Sequence, residues 1–196
     1  MRISREAAAA NRDRVVKAAA RLFREKGVDA IAVADLMKAA GLTHGGFYNH
    51  FESKDALAAA AYREAFDHAV ERAEHRATRI ATEGPDAVLA DYIDHYLSQE
   101  TIDSPGTSCP LSALGTDAAR HGTLLRAEFA DGVRRYISAF ARLMPGRKQR
   151  RRQRAIATLS TLIGAVTLVR ACSGADDELA GEILTAARQS LETPHR

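Results

Sequence analysis

The sequence predicts an all-α protein of about nine helices, a small N-terminal head followed by a larger helical body. Three observations carry this. Apolar residues recur at helical spacing in segment after segment, and no run alternates in the manner of a strand. Only five prolines and thirteen glycines are set against abundant Ala, Leu and Arg, a composition that favours helix. Within residues 33–51 a short amphipathic stretch, a glycine and a polar stretch follow one another, the order of a helix-turn-helix.

The elements follow in order. A first helix is predicted from roughly Arg5 to Lys26, with Val15, Val16, Ala19, Leu22 and Phe23 on one face and Gly27 closing it. A second spans Val33 to Ala40 without a polar cap, because Ile31 and Ala32 stand where Ser or Thr is expected. A third begins at Thr43, whose hydroxyl is expected to cap it, and ends near Phe51. Ser53 caps a fourth, with Asp55 in its first turn and Leu57, Tyr62, Phe66 and Val70 inside, ending near Thr82. Glu83-Gly84-Pro85-Asp86 is a stop and restart, and a fifth helix runs on to about Gln99. Asp103 to Ser108 reads as a loop, Pro110 to Ala119 as a short helix, and His121 to Met144 as another, stopped by Pro145-Gly146. Arg147 to Arg154 is a basic run opening a long apolar helix, and a last helix carries Leu179, Ile183, Leu184 and Leu191. The basic run reads as solvated charge, or as ion pairs to a partner, rather than as a second nucleic-acid site.

Bulk properties narrow the class. At 46% hydrophobic and 27% charged residues the chain is an ordinary globular protein. A net charge of +3 is compatible with a polyanionic partner and is weak evidence by itself. Basic residues crowd the first quarter, from Arg2 and Arg5 to Lys38 and Lys54. Met1-Arg2-Ile3-Ser4 leads into no apolar segment of a secretory signal, and Ala155–Ala171 is short for a bilayer span and interrupted by Thr, Ser and Gly. No membrane association and a cytoplasmic location are expected. Two cysteines, Cys109 and Cys172, imply no disulfide framework. There is no glycine-rich phosphate loop, no His-Glu-x-x-His and no Gly-x-Ser-x-Gly elbow, so an enzyme is not expected, nor a bound metal or other cofactor.

The most informative stretch is Gly41-Leu42-Thr43-His44-Gly45-Gly46-Phe47-Tyr48-Asn49-His50-Phe51, followed by Glu52-Ser53-Lys54-Asp55-Ala56-Leu57. A core helix would not place Thr, His, Tyr, Asn and His within two turns. A helix that lies in a DNA groove needs such donors and acceptors. With Gly27 to Val33 and Ala39-Ala40-Gly41-Leu42-Thr43 upstream, these segments resemble the TetR family of bacterial transcriptional repressors. The elements that carry the resemblance are Gly-x-x-x-x-(Thr/Ser)-Val, Gly-Val/Leu-Ser/Thr, Tyr-x-His-Phe and (Ser/Asp)-Lys-(Asp/Glu)-x-Leu. Ala32 departs from the pattern, removing a cap and with it a phosphate contact. The resemblance implies residues 1–52 as a helix-turn-helix DNA-binding domain and 53–196 as a helical effector-binding and dimerisation domain. It also implies a homodimer on a palindromic operator of double-stranded DNA, released when a small-molecule effector binds the body. Two residue-level arguments agree. A recognition helix this short reads few base pairs, so specificity needs two of them. The last two helices also carry stripes too apolar to leave wet, and paired across a two-fold axis they would form a four-helix bundle.

Within the head, Phe47 and Phe51 read as core, four residues apart on the inner face. Expected DNA contacts are Thr43, His44, Gly45, Gly46, Tyr48, Asn49, His50 and Lys54. Tyr48 can donate to a phosphate or be a half-buried tyrosine. His50 can meet a phosphate or hold a structural hydrogen bond. Asn49 suits adenine, His44 a guanine or a phosphate, and Gly45-Gly46 either admits DNA backbone or is a frayed turn. Lys54 at a helix start suits a phosphate. Arg2 and Arg5 could reach a minor groove or stay in solvent.

In the body, Tyr62, Phe66, Tyr92, Tyr96, Cys109, Leu111, Leu114 and Phe129 are the expected lining of an effector pocket, although most such residues must be core. The tyrosines suggest a mostly apolar site with hydroxyl donors, suited to an apolar or aromatic effector, with His95 or His121 available as a polar anchor. Cys109 stands at a helix start, where the dipole is expected to lower the thiol pKa, so a redox or electrophile sensor is the alternative. Against that stands the ordinary fate of a free cysteine, a small buried hydrophobe.

Overall fold

The computed structural model describes residues 4–192, and among them every regular element is a helix. In order they are α1 (Arg5–Lys26), α2 (Val33–Ala39), a 3-10 helix (His44–Asn49), α3 (Lys54–Thr78), α4 (Ile80–Glu83), α5 (Pro85–Tyr96), α6 (Gln99–Asp103), α7 (Pro110–Arg120), α8 (Thr123–Phe140), α9 (Lys148–Cys172) and α10 (Asp177–Glu192).

Among the described residues ten α-helices and one 3-10 helix stand where nine helices are expected, and the differences are local. The fourth predicted helix breaks at Arg79, dividing α3 from α4. Helix α6 stands between the predicted end of the fifth helix and the predicted loop, where the sequence reading places no separate helix. Ser98 caps it by accepting from the Thr101 amide at 3.2 Å. The third predicted helix is a 3-10 turn rather than an α-helix, and the Thr43 hydroxyl makes no capping bond. Two consecutive glycines inside six residues explain it, because each weakens an α-helix while a short 3-10 segment tolerates both.

The turn between α2 and the 3-10 helix follows from one residue. Gly41 has φ +69°, the left-handed conformation a side chain resists, and the Leu42 amide then reaches back to the Met37 carbonyl at 2.9 Å. This is the glycine-terminated helix end of the Schellman type. It turns the chain so that Phe47 points inward.

Two cores organise the molecule. The first joins α1, α2 and the 3-10 helix to the first half of α3, with Phe23, Leu36, Phe47 and Leu57 fully buried, and also takes Leu114 and Leu125 from α7 and α8. The second fills the body between α3, α5, α8 and α9 around Phe66, Tyr92, Phe140 and Leu162. The first core therefore crosses the backbone position 52/53. The last two helices pack on each other, and on that pair Ile156, Leu168 and Leu179 stay exposed. By length and composition α9 is long and apolar enough to cross a membrane, with mean hydropathy 1.7 over its most apolar stretch, a third of which is buried.

Candidate nucleic-acid interface and body cavity

The head presents its polar residues as the inward packing dictates. Phe47 and Phe51 are buried with ring centres 5.7 Å apart, and the Arg12 guanidinium lies 5.0 Å over the Phe51 ring. That anchors the 3-10 helix and leaves its other faces outward. Tyr48 is 74% exposed and meets Phe47 only edge-on at 5.2 Å, so its hydroxyl projects from the head. Thr43, His44, Gly45 and Asn49 are exposed, while Gly46, His50 and Lys54 are partly so. A Cβ at Gly45 would meet nothing within 4 Å, which makes the backbone there approachable. The expected DNA-contact residues thus share one short segment and the start of α3. Ser53 caps α3 by accepting from the Ala56 amide at 3.0 Å, so Lys54 sits on an ordered helix N-terminus. Arg5 is exposed at the start of α1, and Arg2 lies outside the described residues.

In the body a cavity of about 250 Å³ opens between α3, α5, the 104–109 loop and α8. Of the eight residues expected to line it, Tyr92, Tyr96 and Cys109 do. Tyr62, Phe66, Leu111, Leu114 and Phe129 are not among its lining. Tyr62 and Leu114 fill the first core, Phe66 and Leu111 the second, and Phe129 bridges the two, its ring 5.5 Å from Phe66. The cavity lies one to two turns further along α3, where the small side chains Ala69 and Ala73 leave room. His95 is at the wall; His121 instead sits beside Asp117 at 3.5 Å.

The wall is more polar than expected. Arg72 and Arg76 line it beside Glu100, Thr101, Thr107 and Ser108, and Tyr136 joins Tyr92 through a 2.7 Å bond between their hydroxyls. The Arg76 guanidinium lies 5.5 Å over the Tyr92 ring. Sequence reasoning missed the arginines, although their signal was legible: Arg72 and Arg76 are four apart, flanking the Ala69–Ala73 stripe of the same helix.

Burial dominates the titration of this wall. The hydroxyls of Tyr92 and Tyr96 are pushed well above the usual phenol range, first by loss of water. The Cys109 thiol is raised too, again chiefly by burial. The Tyr96 hydroxyl, the amides of Leu111 and Ser112 and the charge of Arg72 each pull it down by less. This reverses the lowering expected from the helix start: the amides act as anticipated, but desolvation outweighs them.

The wall is bonded to the head. Arg24 of α1 donates to the Ser108 carbonyl at 3.2 Å, and Arg170 of α9 donates to the Ser108 hydroxyl at 2.9 Å. Below it, Asp117 of α7 accepts from the Val28 amide at 3.3 Å.

A tripartite head with a glycine-turned polar segment facing outward defines a helix-turn-helix DNA-binding protein. The comparisons agree. The model of bacterial regulatory proteins of the tetR family matches residues 15–61. An HTH-type transcriptional regulator of Mycobacterium tuberculosis is 29% identical over 170 residues, covering 81% of this chain and 84% of that one. The HTH-type transcriptional repressor DhaR of a Mycobacterium species is 27% identical over 129 residues, covering 66% of this chain and 63% of its own length. The crystal structure of a TetR transcriptional regulator from Chloroflexus aurantiacus superposes with a TM-score of 0.67 at 26% identity, covering 94% of this chain and 93% of that one. The family model of the head, the HTH-type relatives and the fold together support the TetR family of transcriptional regulators, which bind DNA, for this chain.

Proposed function

We propose that the protein is a ligand-responsive repressor that binds a palindromic operator as a homodimer and leaves it when a small effector enters the body cavity. The reading unit is residues 1–52 and the sensing and pairing unit residues 53–196, acting in the cytoplasm where the DNA is. One observation carries this reading: the cavity wall and the head share a hydrogen bond, from Arg24 to the carbonyl of the wall residue Ser108. Occupancy that moves the 104–109 loop must break or drag that bond. A ligand that favours the dragged arrangement lowers operator affinity by its preference for that state. In the head, Tyr48 and Lys54 hold the phosphates while His44 and Asn49 face base edges. DhaR, the repressor similar to this chain, supports the sign of regulation.

The uncovered apolar residues Ile156, Leu168 and Leu179 support pairing through α9 and α10.

The test is fluorescence anisotropy of the protein on labelled duplex from its own upstream region, beside a scrambled duplex at equal salt. Tight, sequence-dependent binding that falls about tenfold or more in Tyr48→Ala is expected, corresponding to about 1.4 kcal/mol. Equal, weak binding to both duplexes would overturn the assignment.

A second reading, Cys109 as a redox or electrophile sensor, is favoured by its place in the cavity wall. Its burial and raised pKa weigh against it.

A further inference from the structure

The cavity wall carries more positive charge than its own carboxylates answer. Arg72 forms no ion pair among the described residues, and Arg76 approaches a carboxylate only at 3.8 Å, from Asp91. Two further arginines converge from outside on the 101–109 segment, and both are held by neutral oxygens. Arg24 donates to the carbonyls of Ala20 and Ser108, and Arg170 to those of Thr101 and Ile102 and to the Ser108 hydroxyl. Burial, and then the charge of Arg72, lowers the Arg24 pKa to about 10. Glu25 and Glu64 act on Arg24 from outside the wall, and Glu100 is the carboxylate in the wall itself, beside Arg72 and Arg76.

One donor is also left over. Arg76 Nε is buried with no hydrogen-bond partner, the Tyr96 hydroxyl is buried against the Cys109 thiol, and both residues line the cavity. A buried donor without a partner is costly, and an acceptor brought by a ligand removes that cost. Beside the polar Thr101, Thr107 and Ser108, the wall also offers the rings of Tyr92 and Tyr136 and the methyls of Ala69 and Ala73. A volume of about 250 Å³ suits a single ring with a short substituent. Glu100 opposes a doubly charged group such as phosphate, which leaves a monoanion.

We propose that the effector is a monocyclic aromatic carboxylate, its carboxylate on Arg76 and Arg72 with the Tyr96 hydroxyl as a third donor, and its ring between Tyr92, Tyr136 and the α3 alanines. This rests on the cavity being the effector site. Paired with a carboxylate, the guanidinium of Arg76 gains a charge-assisted hydrogen-bond partner. The Ser108 and Thr107 side of the wall then lies beside the bound ring, next to the bond that reaches Arg24.

The experiment is isothermal titration of the full-length protein with benzoate, phenylacetate, benzamide and benzylamine. Arg76→Met, Arg72→Gln and Tyr96→Phe are titrated alongside. At least one of the two acids is expected to bind, with benzamide about tenfold or more weaker than benzoate and benzylamine not binding. Arg76→Met should cost about tenfold for the acid and leave benzamide unchanged. Arg72 is exposed, so Arg72→Gln keeps the test open should the Arg76 variant fold poorly, and a loss of severalfold is expected there too. Benzamide matching benzoate, neither acid binding, or arginine variants that bind the acids unchanged would overturn the proposal. Anisotropy with operator present separates the two readings. Selective acid binding that leaves the DNA complex intact upholds the ligand class and removes the regulatory reading. Release by the neutral amide as readily as by the acid does the reverse.

Discussion

The Tyr62 hydroxyl donates to Asp117 Oδ2 at 2.7 Å, deep between α3 and α7, while Asp117 Oδ1 accepts from the Val28 amide at 3.3 Å. One carboxylate thus serves a helix of the body and the turn after α1. Burial, then the bond to Asp117, pushes the Tyr62 hydroxyl far above the usual phenol range, which keeps it a donor. His121 stands 3.5 Å from the same carboxylate, and its buried Nε2 makes no hydrogen bond.

Removing the acceptor strands two donors, whereas removing the Tyr62 hydroxyl strands none. Tyr62→Phe should therefore lower stability by about 1 kcal/mol and Asp117→Ala by about 2–4 kcal/mol. Urea unfolding of the two single variants and the double variant checks it. A double variant no worse than Asp117→Ala shows that the hydroxyl acts through Asp117, while strictly additive losses would separate them.

Helices α3 and α8 approach closely because Gly132 faces Phe66. A Cβ there would lie 2.2 Å from the Phe66 ring, an overlap that only backbone or ring displacement relieves. Gly132→Ala, despite its better helix propensity, is expected to destabilise by about 1–3 kcal/mol. Thermal unfolding reads this directly, and an unchanged or raised Tm would contradict the packing described.

Cys109 is buried and Cys172 partly exposed. A raised pKa means less thiolate at neutral pH, so iodoacetamide should label Cys172 first. Labelling of Cys109 should accelerate only as pH climbs beyond the ordinary thiol range. Peptide mass spectrometry of a time course at pH 7 and pH 9 distinguishes the two thiols. Preferential labelling of Cys109 at pH 7 would revive the sensor reading.

Leu168 and Leu179 leave apolar surface uncovered on α9 and α10. If that surface pairs with a second copy, Leu168→Glu with Leu179→Lys should shift the sedimenting species from dimer to monomer at micromolar concentration. Operator affinity should fall with it, since each half-site would then be read alone. An unaltered sedimentation coefficient would place the pairing surface elsewhere.

Much of this was legible in the sequence. The bounds of α1, the Ser53 cap and the inward placing of Phe47 and Phe51 follow from spacing and capping chemistry, which are local. What escaped was non-local. The residues Tyr62 and Leu114 look like any aromatic and aliphatic on a helix. Only the packing of α7 against α1 decides that they fill a core rather than face a cavity. Asp117 was likewise invisible, because its partners lie 55 and 89 residues away. The Cys109 pKa went the other way because sequence shows the helix start and not the burial.

Helix α3 is unbroken from Lys54, beside the outward face of the head, to Ala69 and Ala73 in the cavity wall. Fifteen residues of rise put Lys54 about 22 Å from Ala69. A rigid rod of that length is a mechanical amplifier: a tilt of about 5° about Ala69 carries its far end roughly 2 Å. That displacement is comparable to the reach of a hydrogen bond, so a change too small to reshape the cavity can take the proposed phosphate contacts out of register. In a pair related by a two-fold axis the two displacements would add across the duplex.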